Sequence, residues 1–209
     1  MNIFFRLIEI LTIIVLPLLV FYLRSKWPQK EIVIFAIVLP LLWYLLYAPI
    51  HELSHMLGAA IIGASIKDYR LFAHFWEGDF GFAYVDIAGG LGTNFNSLII
   101  LVSPYILDFI SLILGYFILK SYRIKNSFLA GLIFLFLCLR PTYDVIDNYL
   151  GIIYNHSDFI LIIKIIGWFL TYCFGLLTTG LSVYTIGKIL HKYKNYPLIK
   201  FNIERINLR

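Results

Sequence analysis

The sequence predicts an all-α membrane protein, a single bundle of about five transmembrane helices with a short β-hairpin inserted after the second. Three observations carry this reading. Of the 209 residues, 61% are hydrophobic and 14% charged, whereas a soluble domain has roughly half apolar and a quarter charged residues. The apolar residues gather into five runs, at 3–23, 32–63, 96–119, 127–149 and 159–187. A helix of about 20 such residues crosses the hydrocarbon core. The stretch 64–95 differs in kind, being polar and rich in glycine. The length fits one membrane domain, 1–209, with no room for a second.

The first run contains Arg6 and Glu9 and lacks a small-x-small cleavage site, so it reads as a retained helix rather than a signal peptide. The second holds Pro40 and Pro49, each of which removes a backbone donor and bends a helix. After it, Ile66 to Phe72 and Phe80 to Ile87 are rich in aromatic and β-branched residues and flank the turn pair Gly78-Asp79, the pattern of two short strands. The run Gly89-Gly90-Leu91-Gly92-Thr93-Asn94 leads into the third span and has no βαβ unit around it, so it is not a dinucleotide fingerprint. Asn94 and Asn96 are candidate caps of that helix. The fifth run is interrupted by Gly167, Gly175, Gly180 and Gly187, and can hold two broken segments instead of one.

The formal net charge is +5. Its basic residues flank the apolar runs, which points to topology and lipid head groups rather than to nucleic acid. If all five runs span, Arg24, Lys26 and Lys30, then Lys120, Arg123 and Lys125, then the tail with Lys188, Lys192, Lys194, Lys200, Arg205 and Arg209, share one face. The positive-inside rule makes that face cytoplasmic and the amino terminus external. Cys138 and Cys173 lie alone in apolar stretches, without metal or disulfide spacing. Asn155-His156-Ser157 is a formal glycosylation acceptor of the kind common by chance.

Chemistry concentrates at His51-Glu52-Leu53-Ser54-His55, two residues after Pro49. Four residues apart on a helix, the two imidazoles share a face and can bind one metal ion. Glu52 is one step round and can reach a water on that metal, the pattern of zinc hydrolases. Zinc lowers the pKa of bound water from about 16 toward about 7, and Glu52 is placed to act as general base. The bland alternative is a polar cluster that ties helices together, but ionisable groups in a span cost several kcal/mol unless paired or used.

A third ligand is needed. The metzincin extension would place a histidine where Ile61 stands, and the only later glutamates, Glu77 and Glu204, fall in the loop and the tail. Asp144 and Asp147, near the end of the fourth run, and Asp108, in the third, are better placed. Asp108 can pair with Arg140 across the third and fourth helices, because burying either charge alone is expensive. His74 and His156 read as loop histidines.

The motif at 51–55, followed by Ala59 and Gly63-Ala64-Ser65-Ile66, resembles the first motif of the site-2 protease family of intramembrane zinc metalloproteases. Pro141-Thr142-Tyr143-Asp144 is similar to its second, in which a proline precedes a metal-binding aspartate by three residues. The resemblance covers roughly 45–150. It implies hydrolysis of peptide bonds in membrane-anchored substrates, zinc on His51, His55 and Asp144, and Glu52 as general base. Here Tyr143-Asp144-Val145 stands where the family has Leu-Asp-Gly, which keeps Asp147 open as an alternative ligand or as a partner orienting a histidine. Ser103-Pro104-Tyr105-Ile106-Leu107-Asp108 shares only the proline of the family's Gly-Pro-x-x-Asn motif. These departures point to a distant, prokaryotic branch in the cell membrane. Familiar members hold the metal toward the cytosol, whereas the charge pattern places it nearer the outside. Two other readings stay open: a membrane zinc hydrolase of a non-peptide substrate, and a transporter or scaffold that binds an ion without chemistry.

Overall fold

The structure is a computed structural model that describes residues 3–24, 29–72, 83–92, 94–122, 124, 126–153 and 157–194. The turn at Gly78-Asp79, Glu77, His74, His156, Lys26, Arg123, Lys125 and the tail beyond 194 lie outside the described residues.

Among the described residues, five helices are long and apolar enough to cross a membrane, the architecture of a multi-pass membrane protein. Helix α1 runs as Ile3–Glu9, a π-helical stretch Ile10–Val15, and Leu16–Arg24. Helix α2, Gln29–Ile61, continues through both Pro40 and Pro49. Helix α3 is Phe95–Ser121. Helix α4 comprises Ser127–Phe134, a π-helical stretch Leu135–Leu139, and Arg140–Gly151. The π stretch ends two residues before Pro141, whose missing N–H cannot continue the regular ladder. The last apolar run is indeed broken. A short helix α5, Asp158–Ile166, stops at Gly167 (φ 85°), and α6, Trp168–Lys194, begins at once. Only glycine adopts that φ without strain. The fifth span is therefore Trp168–Tyr193, and α5 is an accessory element.

The core identifies α4 as the axis of the bundle, since 67% of its most apolar window is buried against 17% for α1 and 22% for both α2 and α6. Phe134, Leu135, Cys138 and Tyr143 of α4 pack with Phe21 and Tyr22 of α1 and with Leu39 and Trp43 of α2. A second cluster joins Leu101 and Tyr105 of α3 and Val145 of α4 to Phe159, Ile162 and Ile163 of α5. This apolar face holds the amino-terminal end of α5 against the bundle.

The hairpin pairs β1, Ile66–Arg70, with β2, Tyr84–Ile87, in antiparallel register from Ile66↔Ile87 to Arg70↔Tyr84, with an irregularity between Ile66 and Asp68. The strands are shorter than the sequence predicts, and 80–82 fall outside the described residues. Gly63 (φ 70°) turns the chain out of α2. Ile87, Ile66 and Val85 then pack on Ala59 and Ile100, seating the hairpin over the end of α2. Asp68 and Asp86 face each other, a repulsive pair compensated locally. The Tyr84 hydroxyl and the Tyr69 N–H donate to Asp68 (both 2.8 Å) and hold its carboxyl below the usual range. Lys67 donates to Asp86 at 2.9 Å.

Asn94 caps α3, its side chain accepting from Ser97 N at 2.8 Å, while Asn96 is exposed. Among the described residues, basic side chains at helix ends reach neighbouring helices. Arg24 donates to Leu190 O (3.2 Å) and Lys192 to Leu119 O (2.7 Å). Helix α2 closely approaches α3 at Gly58, and there Ser103 Oγ donates to Ser54 O at 2.7 Å. A methyl on Gly58 would stand 2.6 Å from Ser103 Oγ and 3.0 Å from Ile100 Cα. Gly58→Ala is therefore expected to cost about 1–3 kcal/mol by overpacking. Thermal unfolding in detergent, compared with an exposed helix substitution such as Leu57→Ala, checks this.

Candidate metal centre

His51 and His55 lie one turn apart on the inward face of α2, with ring centroids 4.8 Å apart and both side chains about one-tenth exposed. Their Nε2 atoms face each other at 3.1 Å. A third atom closes the triangle, Asp158 Oδ2, at 3.2 Å from His51 Nε2 and 3.1 Å from His55 Nε2. Among the described residues this His51–His55–Asp158 group could hold a metal ion.

The other ring nitrogens show what those three atoms are. His55 Nδ1 lies 2.9 Å from Ile100 O, and a carbonyl oxygen can only accept, so Nδ1 carries the proton. His51 Nδ1 lies 2.8 Å from Asp144 Oδ2, a carboxylate likewise accepting. In the neutral rings both Nε2 atoms are then bare lone pairs, and Asp158 Oδ2 is a third acceptor. Three acceptors a little over 3 Å apart repel one another unless a cation or added protons sit among them. Ligand atoms placed tetrahedrally about 2.0–2.1 Å from a common centre lie about 3.3–3.4 Å apart, close to the distances here. Imidazole and carboxylate suit zinc, and hydrogen bonds from the opposite ring nitrogens are what orients histidine ligands.

The surrounding charge fits the same group. Asp108, Asp144 and Asp158 stand near the histidines with one guanidinium, Arg140. With Glu52 also beside His51, the carboxylates around the histidines outnumber the single guanidinium, a setting that favours a cation. Arg140 forms a buried ion pair with Asp108 through Nη2, the pairing expected from sequence. Its Nη1 lies 3.8 Å from Asp144 Oδ2. Arg140 thus links the α3 carboxylate to the one that orients His51.

Asp144 therefore does not stand where the motif resemblance puts it. It is fully buried, on the far side of the His51 ring from the Nε2 triangle. Tyr47 Oη and Asn148 Nδ2 donate to its Oδ1, each at 3.0 Å. Four residues beyond Arg140 on α4, it orients the His51 ring, and Asp158 Oδ2 is the carboxylate atom in the triangle. Asp147 is not brought to the histidines. It pairs with Arg6 of α1, which also donates to Tyr143 Oη at 2.9 Å. Glu52 is half-buried beside His51 and lines the same cavity.

Asp158 was missed because it opens an apolar run that reads as lipid-facing. A cap signal was present in Ser157, immediately before it. Ser157 Oγ accepts from Phe159 N (3.0 Å) and donates to Asn148 O (2.6 Å), fixing the first turn of α5 so that Asp158 reaches α2. Tyr105 Oη, 3.3 Å away, donates to the same Asp158 oxygen.

The cavity above the triangle has a volume of about 370 Å³. Glu52, both histidines and Asp158 form part of its wall, with Tyr84 and Val85 of β2 on another side. Comparison of the chain with protein families, curated proteins and solved structures gives no match.

Two predictions separate ligands from supports. For a divalent metal ion held in the triangle, His51→Ala, His55→Ala and Asp158→Ala should each abolish its stoichiometric retention. Asp144→Ala should keep it with affinity lowered roughly 10–100-fold, as read by competition with a chromogenic chelator. For the buried pair, Asp108→Ala or Arg140→Ala alone should destabilise by about 3–5 kcal/mol. The apolar double variant Asp108→Leu/Arg140→Met should recover much of that loss in a double-mutant cycle of thermal stabilities.

Proposed function

We propose that the chain is an intramembrane zinc metalloprotease, a distant relative of the site-2 protease family, hydrolysing peptide bonds of membrane-anchored substrates. The observation that carries the reading is the triangle of three acceptor atoms at the base of a cavity that also holds Glu52. A cation-binding scaffold would need the triangle but not a carboxylate beside it, nor a cavity large enough for a segment of chain.

A zinc ion bound there would lower the pKa of a water toward about 7 and polarise the scissile carbonyl. Glu52 takes a proton from the attacking water and delivers it to the amide nitrogen as the C–N bond breaks, leaving a carboxylate and an amine. Asp144 and the Ile100 carbonyl hold the two imidazoles with Nε2 directed at the centre. Tyr105, donating to Asp158, orients the third ligand.

A peptide bond inside a helix is shielded by its own hydrogen bonds, so the substrate must be extended before it reacts. Strand β2 supports a route. One edge pairs with β1, and Ala83, Tyr84, Val85 and Ile87 line the cavity. Among the described residues no strand lies beside its other edge. An unwound substrate segment adding to that edge would run alongside Glu52.

Glu52→Gln is the deciding variant. It should retain zinc, because Glu52 is no member of the triangle, and lower cleavage of a reconstituted membrane substrate by roughly 10²–10⁴-fold. Stripping zinc with a chelator should abolish cleavage, and adding zinc should restore it. Undiminished turnover in Glu52→Gln would remove the proposed base, and purified protein without bound zinc would remove the enzyme.

A further inference from the structure

The opposite end of the bundle carries a second cavity, of about 410 Å³, between the last turns of α3 and α6. Its wall repeats one pattern on two helices. Tyr116 and Lys120 lie four residues apart on α3, and Tyr184 and Lys188 four apart on α6, with Lys192 one turn further. Each pair shares a helix face. Lys120 Nζ sits 5.0 Å from the centre of the Tyr116 ring and Lys188 Nζ 5.3 Å from that of Tyr184. The cavity thus presents two ammonium groups, each braced on its own aromatic ring.

Lys192 removes an obstacle to anion binding. The carboxyl-terminal carbonyls of a helix carry partial negative charge and repel anions. Lys192 Nζ donates to Leu119 O at 2.7 Å and to Lys120 O, covering the end of α3 with positive charge. The remaining lining residues, Leu119 and Ile189, are buried and apolar, and among the described residues no carboxylate lines the cavity. The site lies where two spans end, at Ser121 and Tyr193, the depth of lipid head groups. Exposed Phe117 and Val183, neighbours of the lining residues in sequence, continue the apolar surface into the spans.

The geometry points to a binding site for the phosphodiester of an anionic glycerophospholipid, held between Lys120 and Lys188 with its acyl chains along α3 and α6. A lipid is favoured over free phosphate because the cationic wall adjoins a buried apolar floor and exposed apolar helix faces. A zwitterionic phospholipid would bring a choline cation toward three lysines. Basic pockets between membrane helices select lipid head groups by this chemistry. The site is independent of the metal centre.

The test uses the full chain in neutral detergent with equimolar phosphatidylglycerol and phosphatidylcholine of matched acyl chains, bound lipid being counted by native mass spectrometry. The wild type should retain phosphatidylglycerol preferentially. Lys120→Gln/Lys188→Gln should lower that preference by roughly thirty-fold, about a factor of five for each lysine near the head group. Lys120→Arg/Lys188→Arg and the hairpin variant Lys67→Gln should keep it. Circular dichroism and zinc content check the fold, and should the double variant fail to fold, Lys188→Gln alone is read, with about a five-fold loss expected. An unchanged preference in the glutamine variants overturns the proposal. So does displacement of the lipid by inorganic phosphate at equal concentration, which would mark a site for a soluble anion.

Discussion

Three electron-pair donors facing one another at hydrogen-bonding distance, with no proton assigned between them, are the constraint on which the functional end of this molecule depends. In water such an arrangement would relax by turning each group to solvent. Inside a bundle of apolar helices it holds only if the backs of the groups are fixed and a positive charge is available at the front. The fold supplies the first condition through Ile100, whose carbonyl is brought to His55 by the close approach of α2 and α3, and through Asp144 on the axial helix α4. The second is met by a cation, which carboxylates outnumbering the one guanidinium, Arg140, favour.

The same constraint explains why polar side chains are spread over four helices in a chain so poor in charge. Asp108 binds nothing in the triangle, yet without it Arg140 would be a lone buried cation drawn toward Asp144. Arg140 in turn keeps Asp144 from facing His51 without compensation. Each element of the network makes sense only through its neighbour, the behaviour expected of buried polar groups at low dielectric. The π-helical stretch ahead of Pro141 lies at the start of this network, and it sets the angular phase at which Arg140, Asp144 and Asn148 follow along α4.

Much of the fold was legible in the sequence because membrane spans are written in composition. Five runs gave five spans, the polar insertion gave a hairpin, Asn94 gave a cap, and the cost of a lone buried charge gave the Asp108–Arg140 pair. Both histidines were legible because helical geometry makes a spacing of four a statement about one face. The third member of the triangle was not. Which of several aspartates meets α2 depends on how α4 and α5 pack, and no spacing within one segment encodes that. Asp144 lies on the correct helix and touches the correct ring, at the wrong nitrogen. The break at Gly167 separates α5 from α6, and that break lets Asp158 turn inward instead of lying at the head of a spanning helix.

The distance along the chain between the parts of the triangle has a consequence for biogenesis. His51 and Asp158 are separated by 107 residues. At synthesis rates of roughly 5–20 residues per second, the histidines wait on the order of 5–20 s before their third companion is made. During that interval the two histidines of α2 stand without the third atom of the triangle. The triangle is therefore absent from a chain still being made until its own last helices are in place.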